Sequence, residues 1–317
     1  MKLIDIAVEA KADAVKFQLY RANKMYVENA GYANYLGQKK SIYDIIRELE
    51  VPYEWISKLK TYCDERNIIF LCTPFDEESV DELEKVDIQG YKIASYTITH
   101  LSLIEHIAKK GKAIILSTGA SDIADIENAI SAIRKTGNDK IILMQCTAKY
   151  PAPLKNINLR VIPKLIEKFD VPVGLSDHSR EPSIAPMGAV ALGANIIEKH
   201  FTTDNNLPGP DHKFAILPDE LKALVDNIRK LEEALGKELK FIQEAEDELY
   251  KFARMSIYAT VNIKLGEILT KNNIAVLRSG KQKKGFEPKY FNFLLGKKTS
   301  RMIKKGEPID EQSIVGK

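Results

Sequence analysis

The sequence predicts an α/β fold: a TIM (β/α)8-type barrel that lacks its first strand, followed by a small β-rich C-terminal domain. Three observations predict it. Short apolar runs rich in Ile and Val alternate with amphipathic stretches from the N-terminus to about residue 236. Polar and ionisable residues recur at the C-terminal ends of those runs, where a barrel gathers its chemistry. Beyond residue 236 the pattern breaks, and the tail repeats itself. The 317 residues therefore divide into a barrel over 1–236, a charged linker over 237–252 and a β-rich domain over 253–317.

Strands are expected at 12–18, 68–73, 90–95, 113–117, 141–146, 172–176 and 195–200. Each has the length and continuous apolar character of a strand covered on both faces. Helical spacing of apolar residues, with acidic residues in the first turn, marks 76–86 and 123–135. Strand–helix alternation implies parallel strands with crossover helices, which leaves an open doubly wound sheet or a barrel. The strand ends favour the barrel: Lys16 and Gln18, Thr73, Lys92 and Ser95, Ser117 and Thr118, Cys146 to Tyr150, Ser176 to His178, then Glu198 and His200. A doubly wound sheet uses mainly one crevice, and no GxGxxG turn follows the first strand. The chain opens on a helix, 3–10, so seven strands are counted rather than eight, and a further strand is expected upstream of Met1. In the tail, Asn262-Ile263-Lys264-Leu265-Gly266-Glu267-Ile268 is echoed by Met302-Ile303-Lys304-Lys305-Gly306-Glu307-Pro308-Ile309. Each reads as strand, Gly turn and strand.

Composition narrows the function. With 44% hydrophobic residues the chain can build a sizeable core. The net charge of +3, taken as spread along the chain, gives no reason to expect nucleic acid or a membrane as partner. No apolar run reaches the roughly 18 residues of a membrane span, and the N-terminus lacks the order of a signal peptide. Cys63, Cys72 and Cys146 are odd in number and widely spaced, which reads as reduced thiols in a cytoplasmic protein.

Lys16 and Gln18 lie two apart on a strand and share a face. At a barrel mouth the lysine suits a phosphate, a carboxylate or a Schiff base; otherwise it reaches solvent. Lys92 is flanked by apolar residues and needs a partner or an anionic ligand. Two lysines on one mouth would clamp an anion, with Thr73, Ser95 and Ser176 adding neutral donors. His178 and His200 end consecutive strands, which are usually neighbours. They read as an open divalent-metal site or as a hydrogen-bonded core pair. Asp211 follows in the rigid Leu207-Pro208-Gly209-Pro210 turn, where it would serve as a general base or simply as a turn residue. Trp55, on an amphipathic helix, is expected in the core, and Lys281–Lys284 in a solvated loop.

Seven of these motifs occur, in this order, in a known family. Lys16-Phe17-Gln18, Thr73-Pro74-Phe75, Lys92-Ile93-Ala94-Ser95, Cys146-Thr147 with Tyr150-Pro151-Ala152-Pro153, Ser176-Asp177-His178, Glu198-Lys199-His200-Phe201 and Pro208-Gly209-Pro210-Asp211 resemble the sialic acid synthase family. The tail resembles its antifreeze-like SAF domain, and two segments resemble its spore-coat polysaccharide branch. The resemblance implies condensation of phosphoenolpyruvate with a 2-acetamido aldose, giving a nine-carbon 2-keto acid and phosphate. It implies that Lys16, Thr73, Lys92, Ser95 and Ser176 bind phosphoenolpyruvate. It further implies that His178 and His200 hold Mn²⁺ or Mg²⁺, and that Gln18, Tyr150 and Asp211 face the sugar, with Asp211 catalytic. Arg278 would reach the sugar site of a partner subunit in a domain-swapped homodimer.

The chain departs from the family pattern at four points. The opening strand with its Glu is absent; Tyr96 and Thr97 replace Gly-Glu; Ala148 replaces an Asn; and Ser279 replaces a Pro. The second and third argue against assuming N-acetylmannosamine as the acceptor. Two other functions are compatible with the residues: a sugar-binding homologue with impaired catalysis, and a Schiff-base pyruvate aldolase.

Overall fold

A computed structural model describes residues 1–32 and 40–316. These form two compact units, Met1–Gly236 and Lys237–Lys317. The first unit holds strands β1 (Ala14–Leu19), β2 (Ile69–Pro74), β3 (Gly90–Ile93), β4 (Ala113–Ser117), β5 (Ile141–Cys146), β6 (Val173–Asp177) and β7 (Ile197–Lys199). Its helices are α1 (Lys2–Glu9), α2 (Ala22–Met25), α3 (Ile42–Glu48), α4 (Glu54–Glu65), α5 (Glu77–Glu84), α6 (Leu101–Ala108), α7 (Ile123–Lys135), α8 (Val161–Phe169), α9 (Ile184–Ala191) and α10 (Pro218–Leu235).

The strands pair in sequence order, all parallel, in one curled TIM-barrel-like sheet of seven. Helix starts follow local chemistry. Asp76 caps α5 by accepting from the Ser79 amide at 2.8 Å, and Asp122 with Asp125 forms a capping box on α7. The apolar helix faces and the outward strand residues make one core that includes Val80, Leu83, Ile104, Ile130, Leu143 and Leu175. Trp55 is not in it. It stands 53% exposed on α4, whose buried face is instead made by Ile56 and Cys63, so the expected core position is corrected.

β1 and β7 are the two edges of the sheet. Beside them, α1 and α10 pack through Ile6, Ala10, Leu221 and Leu224. Arg229 on α10 reaches the Asp13 carboxylate, just before β1, at 2.6 Å. The two helices thus pack on each other beside the β1 and β7 edges. A cavity of about 810 Å³ runs inside the sheet, from His200 and Asp211 at the C-terminal end to Leu3 and Ala7 on α1. Gly174 allows a close approach of β6 to β7, since a Cβ there would meet the Ile196 carbonyl and stand 2.6 Å from the Met144 sulfur.

The second unit contains α11 (Asp247–Ala253), β8 (Met255–Ala259), β9 (Ile274–Arg278) and α12 (Phe291–Leu294). β8 and β9 are antiparallel. The connector expected over 237–252 thus ends in a helix. The two echoed segments do not fold into separate hairpins: Ile263 of the first bridges Ile303 of the second. Each contains a Gly with positive φ (75° at Gly266, 85° at Gly306). Each is closed by its Glu, which accepts from Lys264 or Lys304 at 2.8 and 3.1 Å. Ile257, Ile263, Leu269, Ile274, Ile303 and Ile309 form the core.

The charge is not evenly spread, contrary to expectation. Residues 254–317 carry 14 Lys or Arg against 5 Asp or Glu, a net +9, while residues 1–253 are net −6. Among the described residues no helix is long and apolar enough to cross a membrane.

Candidate active site

The C-terminal ends of the parallel strands bring most of the predicted residues to one end of the sheet, where a cavity lined by four of them opens. Lys16 and Gln18 on β1 line it together with Glu198, His200 and Asp211. Lys92, on β3, is 3% exposed. Its ammonium donates to the Ser117 hydroxyl on β4 and lies 3.6 Å from Glu198 on β7. Burial pulls the Lys92 pKa down, and Glu198 pulls it back up. Ser176, on β6, donates to the same Glu198 carboxylate at 2.8 Å. Burial alone would raise the Glu198 pKa, but Lys16, Lys92 and Ser176 overcome it and hold the carboxyl at about 2. Glu198 is thus an ionised hub between two lysines. In the sequence it stands two residues before His200 on the same strand face, a period-two signal that marks it as a site residue.

Ser95 begins a 3-10 turn just after β3, because the strand stops at Ile93. Its hydroxyl accepts from the Gly119 amide at 3.1 Å and faces the Cys146 sulfur at 3.4 Å. A Cβ on Gly119 would stand 2.8 Å from that hydroxyl, so glycine is needed for the contact. Thr73, at the end of β2, is 2% exposed and its hydroxyl has no hydrogen-bond partner. A buried unpaired hydroxyl costs about 1–3 kcal/mol, a cost that a polar ligand would remove.

His178 follows β6 and His200 follows β7, with ring centroids 5.5 Å apart. The Nδ1 of His178 lies 3.0 Å from the Thr147 carbonyl, to which it donates. That puts the lone pair on Nε2, which has the Ser176 hydroxyl 3.5 Å and the Cys146 sulfur 3.9 Å away. Tyr150 stacks on His178 at 4.2 Å, and Phe214 packs on both Tyr150 and His200 at 5.2 Å. Asp211 is half-exposed, its carboxylate 3.7 Å from His200 Nδ1. Burial, then the charges of Lys16 and His178, lower the His200 pKa to about 3; burial also lowers that of His178. Both rings are neutral at pH 7, as metal ligands must be. Two imidazoles, one with a backbone hydrogen bond fixing its tautomer, are donors of the kind an open divalent site uses, with the remaining positions left to water or substrate oxygen. No third His, Cys, Asp or Glu joins them in a ligand group among the described residues. Arg278 lies in the second unit, exposed at the end of β9 and antiparallel to Met255.

The neutral His200 makes stability pH-dependent. The unfolded ring takes its proton near 6.5 and the folded ring near 3, so stability present above pH 6.5 is lost as pH falls through that window. Urea unfolding in EDTA at pH 7, 5.5 and 4.5 is expected to show this loss. His200→Asn should flatten the slope by about 1 kcal/mol per pH unit. An unchanged slope would assign the acid sensitivity to other groups.

Comparison with known proteins follows the same division. The NeuB family matches residues 3–240, and the SAF domain matches residues 254–315. The spore coat polysaccharide biosynthesis protein SpsE of Bacillus subtilis is 45% identical over 92% of this chain and 82% of its own length. Its crystal structure covers 100% of this chain and 90% of its own with a TM-score of 0.65. The N,N'-diacetyllegionaminic acid synthase of Campylobacter jejuni is 38% identical over 98% of this chain and 93% of its own length. The N-acetylneuraminic acid synthetase of Leptospira borgpetersenii, solved with citrate, is 34% identical with a TM-score of 0.72, over 78% of this chain and 83% of that one.

Proposed function

Because the chain belongs to the NeuB family and carries a SAF domain, we propose that it is a nonulosonate synthase. It condenses phosphoenolpyruvate with a 2-acetamido aldose to a nine-carbon 2-keto acid and phosphate. The observation that carries this reading is a cavity lined by Lys16, Glu198 and His200, with Lys92 3.6 Å from the same Glu198 and the His178 ring 5.5 Å from that of His200. Relatives named as synthases of legionaminic and N-acetylneuraminic acids support it.

Lys16 and Lys92 hold the phosphate and carboxylate of phosphoenolpyruvate beside the Thr73, Ser95 and Ser176 hydroxyls; the unpaired Thr73 hydroxyl donates to those oxygens, Ser95 does so by turning from the Cys146 sulfur, and Ser176 by turning from Glu198. Glu198 offsets part of the burial penalty on the Lys92 charge and orients that ammonium before substrate enters. His178 and His200 hold a divalent cation, Mn²⁺ or Mg²⁺, which when bound polarises the open-chain aldehyde oxygen as a Lewis acid. The enol carbon forms the new C–C bond to the aldehyde carbon. Water then adds at C2 and phosphate departs with its bridging oxygen. Gln18 and Tyr150 face the sugar, Tyr150 held in place by stacking on His178. Asp211, on the Pro-Gly-Pro turn, moves the proton of the sugar hydroxyl or of the attacking water. Arg278 completes the sugar site of a partner subunit in a domain-swapped homodimer, and the protein acts in the cytoplasm.

The test is phosphate release from phosphoenolpyruvate with Mn²⁺ and a panel of acetamido aldoses. Turnover with at least one acceptor is expected, and none without sugar. A second reading is favoured by the buried Lys92, whose lowered pKa is what a Schiff-base lysine requires. Borohydride added with pyruvate should leave no adduct on Lys92; a trapped adduct would replace the synthase reading with an aldolase.

A further inference from the structure

The register of β6 against β7 pairs Ser176 with Glu198 and Asp177 with Lys199, one step before the two imidazoles. Alternation turns the two pairs to opposite faces of the sheet, with both Glu198 and Lys199 of the edge strand β7 taking part in the cavity wall. The inner pair is the Ser176–Glu198 hydrogen bond already described. The outer pair is a buried ion pair: Lys199 Nζ lies 2.6 Å from Asp177 Oδ2, with side chains 3% and 0% exposed.

Lys199 does more than neutralise Asp177. Its ammonium also donates to the Ser179 carbonyl at 2.6 Å and the Glu181 carbonyl at 2.8 Å. Asp177 in turn accepts from the Ser179 amide at 2.8 Å and the Ser179 hydroxyl at 3.0 Å. Every one of these bonds falls on residues 177–181, the turn that carries His178. The next residue of the same turn, Arg180, is held by Glu220 of α10 at 2.9 Å. Such a cluster is costly to desolvate, and two apolar side chains would cover the same surface without that cost. What a tetrahedral ammonium adds is direction: three acceptors on one turn are fixed relative to the strand that ends in His200.

We propose that Lys199 is a positioning residue. From the outer face of the sheet it locks the 177–181 turn onto β7 and so sets the spacing and tautomer of the His178 and His200 pair. The proposal rests on the reading of that pair as a metal site, but its effect on the His178 ring exists without metal.

Two variants test it. Lys199→Met leaves the Asp177 charge buried and alone; Lys199→Met with Asp177→Asn removes both charges and keeps the volume. Folding is checked by circular dichroism and Tm. In each folded variant two quantities are measured: Mn²⁺ affinity by electron paramagnetic resonance titration, and the ¹⁵N shifts of His178 in metal-free protein. In wild type, one tautomer with the proton on Nδ1 is expected. In the folded variants the ring should report a mixture, and Mn²⁺ should bind about 10–100-fold more weakly. Lys199→Arg should recover part of the affinity. A folded variant with wild-type ¹⁵N shifts would overturn the proposal, as would failure of both variants to fold, which would assign the pair to stability. Absence of Mn²⁺ binding by wild type would instead overturn the metal reading, while the ring shifts would still judge Lys199.

Discussion

Replacing His178 and His200 together by alanine is expected to lower phosphate release by about 10³-fold and to abolish measurable Mn²⁺ binding. The size follows from losing Lewis-acid stabilisation of several kcal/mol, at about 1.4 kcal/mol per decade of rate. Each single substitution should cost nearly as much, because one imidazole leaves the site with a single protein ligand. The fold should survive. Burial keeps the His200 ring neutral below pH 6.5, where the free ring takes a proton, so removing it relieves a penalty at acid pH rather than creating one. Steady-state phosphate release with and without added Mn²⁺ measures the effect. Turnover preserved in the double variant would mean that the aldehyde is activated by other groups, with Lys16 and Asp211 next in line at the cavity.

The second large effect is expected at Lys92. Lys92→Met should raise the KM for phosphoenolpyruvate by roughly 10–100-fold, the worth of one charge-assisted contact. It should change the KM for the sugar little. It should also destabilise the first unit by about 3 kcal/mol, since Glu198 loses one of its two cationic neighbours and Ser117 loses its partner. Kinetics at fixed sugar concentration and urea unfolding at pH 7 separate the two effects. A stable variant with an unchanged KM would remove Lys92 from the anion clamp. Pairing the substitution with Glu198→Gln should return much of the stability but none of the affinity, because the buried carboxylate charge is then gone as well.

The alternation of apolar runs and helices, the tail with its repeated Gly turns, and the polar residues at strand ends are local patterns with fixed periods. A linear reading recovers them. So it is with Lys16, Lys92, His178 and His200, since strand order and parallel pairing bring consecutive strand ends together. Strand limits were less legible: β3 stops at Ile93, where Ser95 turns into a 3-10 segment to meet the Gly119 amide, a contact across separate loops. Trp55 lies on a helix whose apolar stripe is Ile56 and Cys63, so its exposure depends on which face meets the sheet.

What the sequence by itself determined is the set of elements, their parallel order and the chemistry available at one end of them, because each depends on spacing along the chain. What only the tertiary structure decided is which side chains meet. Glu198 became the hub of two lysines, Tyr150 the platform of His178, and Lys199 the outer lock of the turn beneath it. Those contacts depend on the register between strands and on low-dielectric burial, which turn modest charges far apart in sequence into strong neighbours in space.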